Sequence, residues 1–198
     1  MRTQQIVRAA GALLLAAAAA ACSANADHTD AAAHPQSVLY RADYPSYATA
    51  GELYGRASVV VQGQVEATQR VVRLVQAAPP GQVLPAPVDA ERREGMVVTV
   101  RTVKVSRVFK GAVKPGDVVQ VKQLGGNLDG VTYTEEHGVP LRENGQYTLF
   151  LETYPDQPAS LLNPVQAQYP VESGNGLRSL PGNGISTSVA ELATLARK

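Results

Sequence analysis

The chain has no tryptophan, two phenylalanines and a single cysteine in 198 residues. Without large aromatic rings its core must be filled mainly by valine and leucine. One cysteine excludes an intrachain disulfide, and with it the stapled scaffolds common among small exported domains. Apolar burial alone must therefore hold the fold. Neither sign of charge is in excess, since 18 Lys and Arg face 17 Asp and Glu. No basic block or stripe stands out, which excludes the electrostatic footprint of a nucleic-acid binder and of a peripheral membrane patch. The three histidines, His28, His34 and His137, form no ligand-spaced pair with a cysteine or carboxylate. There is no Gly-x-Ser-x-Gly elbow, phosphate-binding loop or His-Glu-x-x-His. The sequence thus calls for no cofactor and no histidine- or cysteine-based metal centre, and it marks no catalytic nucleophile.

What the chain does have begins with the apolar run Gly11–Ala21, preceded by Arg2 and Arg8 and free of acidic residues. The run falls short of the roughly 20 apolar residues of a spanning helix. A short basic region, an apolar stretch and small residues before a cut site read as an export signal over residues 1–21. Ala19-Ala20-Ala21-Cys22 resembles a bacterial lipobox, although its first position is usually leucine. The resemblance implies cleavage before Cys22 and acylation of its thiol, so that lipid on Cys22 anchors the protein to the membrane facing the envelope. Anchoring by two or more acyl chains is stable where one is marginal. The alternative is plain secretion, with Ala24-Asn25-Ala26 as the cleavage site. Cleavage before Cys22 removes two arginines and leaves a near-neutral chain.

Residues 22–37 are Ala- and Asp-rich without apolar periodicity and read as a flexible tether. A single domain is expected over 38–198. Thr49-x-x-Glu52 and Ser188-x-x-Glu191 are capping boxes, predicting a short helix near each end of it. Between them lie strand patterns. Val59–Ala67 alternates with period two, with Gly63 at a bend or bulge. Met96–Phe109 slips phase twice, near Arg101-Thr102 and near Ser106-Arg107, where bulges are expected. Val118–Leu124, the strand of Tyr147, Leu149 and Leu151, and that of Val165, Ala167, Tyr169 and Val171 follow. Asn175-Gly176 predicts a hairpin into Leu177–Leu180. Residues 76–95 carry four prolines, Pro79, Pro80, Pro85 and Pro87, and read as a long loop insertion. About five to six strands without a βαβ rhythm predict a mainly β fold, a small bent antiparallel barrel. Its core should bring together Val100, Val105, Val121, Leu149 and Leu151, with Thr148 on the opposite parity.

Three segments together carry a resemblance: ASVVVQGQV at 57–65, VSRVFKGAVKPGDVVQV at 105–121 with LGGNLDG at 124–130, and GQYTLFL at 145–151. They resemble a family of exported bacterial domains with an OB-like barrel, similar to the netrin-module and metalloproteinase-tissue-inhibitor fold. Inhibitors of that superfamily place an N-terminal Cys-x-Cys on the protease zinc. Here the residues are Cys22-Ser23-Ala24, and lipidation would acylate the amine, which argues against that mechanism.

The densest polar cluster is LDGVTYTEEHG. Asp129, Glu135 and Glu136 within it form a candidate ligand or metal loop, since carboxylates in one loop suit calcium; the spacing is not that of an EF-hand. Phe150 faces away from the Leu149 parity and is expected to be covered by the terminal helix through Leu192 and Leu195. The expected function is a lipid-anchored, non-enzymatic envelope module that binds another envelope protein or peptide. The alternatives are an envelope hydrolase using the 125–145 loop and a protease-inhibitor-like protein acting through the 76–95 loop.

Overall fold

The computed structural model describes residues 36–74 and 95–198. The signal, Cys22, most of the tether and residues 76–94 of the Pro-rich loop lie outside the described residues. The described part is mainly β, with nine strands and two helices. None of its helices is long and apolar enough to cross a membrane.

Both predicted helices form where the capping boxes place them. Helix α1 spans Ala50–Arg56, and Thr49 Oγ1 accepts the Glu52 N–H at 3.1 Å while Glu52 accepts the Ala48 N–H at 2.9 Å. Helix α2 spans Val189–Leu195, and Ser188 Oγ accepts the Glu191 N–H at 3.1 Å. Each cap satisfies a first-turn donor that would otherwise lack a partner, within four residues of sequence.

The larger sheet holds six strands: β2 (Val59–Leu74), β3 (Met96–Lys110), β4 (Val118–Leu124), β7 (Gln146–Tyr154), β8 (Gln157–Leu161) and β9 (Gln168–Pro170). Five of them close into a ring in the order β2–β3–β4–β8–β7, with β7 pairing back onto β2. All these pairings are antiparallel except β4–β8, where Val121 and Lys122 meet Ala159 and Ser160 in parallel. Ring closure removes the free edges that an open sheet would expose. A second sheet has three strands, β1 (Gln36–Tyr40), β6 (Val131–Glu135) and β5 (Gly126–Leu128), with β1 parallel and β5 antiparallel to β6.

Several sequence expectations need correction. Gln36 and Ser37, assigned to the tether, begin strand β1, because their backbone pairs with Val131 and Thr132 almost a hundred residues away. The 125–145 segment, read as a loop, contains the β5–β6 hairpin, turned by Asp129 at φ 53° and Gly130 at φ 77°. Strand β8 was not foreseen. The strand expected through Val165–Val171 shrinks to Gln168–Pro170, since Asn163 Oδ1 accepts the N–H groups of Val165 and Gln166 and holds them in a turn. The hairpin expected at Asn175-Gly176 turns one residue earlier, with Gly174 at φ 81° and Asn175 at φ 66°, and leads only to a Val171–Leu177 bridge.

The two phase slips in β3 meet different ends. Opposite Gln62 and Gly63, β3 skips Ser106, so the second bulge stands where the pattern breaks. Gly63 is required there: a Cβ would lie 2.6 Å from the Lys104 carbonyl oxygen. At the first slip the extra residues belong to β2, where 66–68 face Thr102 alone. The register of β3 with β4 runs unbroken from Val98 to Lys104. Val100 therefore keeps the parity opposite to Val103. It is buried but outside the core cluster that unites Val103, Val105, Val121, Leu149 and Leu151. Thr148 is also fully buried, against the expectation from parity, because both faces of β7 are covered. Phe150 on that second face packs edge-on to Tyr169 at 5.8 Å and shares one core with Leu192.

Candidate functional site

β2 and β3 run on past the ring as a two-stranded extension, Gln69–Leu74 against Met96–Arg101, with β4 alongside as far as Leu124. Alternation gives this extension two faces. Leu74, Met96, Val98 and Leu124 share one; Val71, Thr99 and Gln123 share the other. A cavity adjoins each.

The first cavity measures about 420 Å³ and is lined by Leu74, Met96, Val98, Leu124, Leu161 and Pro164, together with Tyr44, Lys122, Gln123, Gln157, Ser160 and Glu135. Its volume lies in the range of small-ligand pockets, and so does its mix of apolar walls with a few polar groups. The second, of about 460 Å³, lies between the other face and the β5–β6 hairpin, where Gly125, Gly126, Tyr133 and Val139 contribute. Gln123, Leu124 and Glu135 line both. The wall is pinned by Gln123, whose Nε2 donates to the Val139 carbonyl at 3.0 Å and whose Oε1 accepts the Leu141 N–H at 2.8 Å.

Glu135 is the last residue of β6, in parallel register with Tyr40. It is only 8% exposed, and its Oε1 has no hydrogen-bond partner among the described residues. Burial pushes the ionisation of the neighbouring Tyr44 hydroxyl above its ordinary range, and the Glu135 carboxylate raises it further by hydrogen bonding and by charge. Also in the lining, Lys122 Nζ stands 4.4 Å over the Tyr154 ring and donates to Gln157 Oε1 at 3.4 Å. Burial lowers the ionisation of this ammonium, since water that would stabilise its charge is partly excluded. No ion pair joins Lys122 to Glu135.

The three carboxylates of the predicted ligand loop part company. Asp129 sits exposed at the β5–β6 turn, the far end of β6 from Glu135. Glu136 pairs with Arg41 at 3.2 Å on the surface. Glu135 alone reaches a cavity. Among the described residues no three His, Cys, Asp or Glu side chains gather to hold a metal. Sequence reasoning missed Tyr44 and Lys122. Lys122 stands on the polar parity of β4, between Gln120 and Leu124, which reads as a solvated face.

One more cluster ties the extension to the smaller sheet. Arg73 donates to the Tyr133 hydroxyl at 3.1 Å and lies 5.6 Å from its ring centroid, while Tyr133 stacks on Tyr40 at 5.7 Å. Tyr40 in turn accepts the Val97 N–H at 2.9 Å, which ties β1 to the extension.

Comparison with protein-family models, with curated proteins and with solved structures finds no match to this chain.

Proposed function

We propose that this protein is a lipid-anchored, non-enzymatic binding module of the bacterial cell envelope, built on an OB-like barrel and using the 420 Å³ cavity as its ligand site. The observation that carries the reading is that cavity, with apolar walls and one buried carboxylate that has one oxygen without a partner among the described residues. The closure order of the five-strand ring, with its single parallel pair β4–β8, supports the OB-like assignment. A hydrolase reading would need a nucleophile beside its base. The hydrogen bonds among the described residues pair no Ser or Thr hydroxyl with a histidine or lysine, and the one carboxylate so paired, Glu191 with Thr187, belongs to the α2 cap. Ser160 lines the cavity without such a partner.

Two measurements test the proposal. Cys22→Ala is expected to move the protein from the membrane fraction to the soluble one, with mass spectrometry showing the acyl chains of the native form absent from the variant. Identical fractionation and a mature start at Asp27 would refute lipid anchoring. The same soluble variant is expected to bind the neutral apolar dye N-phenyl-1-naphthylamine with a Kd of about 1–10 μM, worth roughly 7–8 kcal/mol. Saturable binding that Met96→Trp weakens at the cavity rim supports the site. A dye signal that does not saturate sinks it.

A further inference from the structure

We infer that the cavity is built for a small apolar amine, a monocation whose ammonium group sits on Glu135. The inference rests on the binding reading above and adds the chemical class of the ligand.

Glu135 lacks the charged partner that its burial calls for among the described residues. A carboxylate taken out of water is tolerated when it is paired and its lone pairs are hydrogen-bonded. Glu135 is 8% exposed, and no described cation lies within ion-pair distance of it. Its Oε1 is shielded from solvent and accepts no hydrogen bond from the described residues. Tyr44 contributes a neutral hydroxyl beside the carboxylate, which leaves the charge uncompensated. Among the described residues Lys122 is the one cation lining the cavity, and it is engaged elsewhere, over Tyr154 and on Gln157. Glu135 thus brings a negative charge to the cavity wall, and the described residues supply no positive charge to match it.

The rest of the lining fixes the remainder of the ligand. Leu74, Val98, Leu124 and Leu161 offer apolar surface without further charge, which suits a hydrocarbon body. A charge-assisted N–H···O bond is about twice as strong as a neutral one, so an ammonium gains more from the Glu135 carboxylate than a hydroxyl does. A carboxylate ligand would meet Glu135 as a like charge and would have to rely on Lys122 alone.

Three ligands sharing one chain test the inference by calorimetry on the soluble Cys22→Ala protein: octylammonium, octanol and octanoate. Octylammonium is expected to bind at least tenfold more tightly than octanol, with octanoate weakest. In Glu135→Gln, which keeps shape and removes charge, the ammonium-to-alcohol ratio is expected to fall to about one. Because that readout is a ratio within one variant, a general loosening of the fold leaves it interpretable. Should Glu135→Gln not fold, the wild-type series still decides, together with the carboxyl carbon resonance of Glu135, expected to shift on adding octylammonium and not on adding octanol. Equal affinity for ammonium and alcohol, tighter binding of octanoate, or dye binding without any of the three would overturn the ligand class while leaving the cavity as a binding site. Failure of the dye as well would overturn the binding reading itself.

Discussion

Leu149→Ala is expected to destabilise the domain by roughly 2–5 kcal/mol, the range for a fully buried leucine whose loss leaves a cavity. Leu149 is completely buried at the centre of β7, paired with Val61 on β2 and with Gln168 on β9. It shares one cluster with Val103, Val105 and Val121 from two other strands of the ring. A closed ring has little room to collapse around a missing side chain, because each strand is tied to two neighbours. Against a total of about 5–15 kcal/mol for a domain, the loss removes much of the margin. Chemical denaturation should show an earlier midpoint at unchanged slope. The sequence parity alone would make Thr148 a mild control, but Thr148 is equally buried and its hydroxyl lacks a partner. Thr148→Val is therefore the sharper comparison. It keeps the shape and removes a buried polar group, so it should leave stability unchanged or raise it by about 1 kcal/mol. If Leu149→Ala melts with the wild type, the ring core described here is wrong.

The contrast between these neighbours shows what the sequence can and cannot disclose. Features decided within a few residues were legible. Thr49 and Ser188 cap helices through bonds to Glu52 and Glu191, three positions on. The break in alternation after Val105 marked the bulge at Ser106, because a bulge changes parity wherever it occurs. Features decided by distant partners were not. Alternation along Tyr147–Leu151 says that two faces differ, and it cannot say that β9 and the terminal segment cover the second. Asp129-Gly130 carried a hairpin signal, yet strands of three and five residues give too short a pattern to stand beside it. The segment Gln157–Leu161 holds Pro158 and no β-branched residue, so nothing local announces β8. Its place is set by ring closure between β4 and β7. The candidate site follows the same rule. Glu135 was visible as a carboxylate in a polar segment. Its burial depends on β1, which pairs with β6 across almost a hundred residues, and on Tyr44, whose role no periodicity marks.

Gly125→Ala is expected to be the other severe substitution, costing roughly 2–5 kcal/mol through backbone strain and steric overlap together. Gly125 joins β4 to β5 and is buried at φ 96°, a conformation that L side chains rarely adopt. A Cβ there would stand 2.6 Å from the Tyr133 carbonyl oxygen. That oxygen is backbone on β6, so no rotamer change relieves the overlap. The residue is also fixed from both ends, since its N–H donates to the Val97 carbonyl at 2.8 Å and its carbonyl accepts the Thr99 hydroxyl at 2.8 Å. Pushing β6 away to make room would draw Glu135, two residues beyond Tyr133, out of the wall between the two cavities. The variant should therefore lose affinity for octylammonium even below its melting temperature, whereas Gly116→Ala, also at positive φ but with open space around it, should cost about 1–2 kcal/mol and leave ligand affinity alone. Equal stability and equal affinity in the two variants would mean that the β4–β5 junction does not position Glu135.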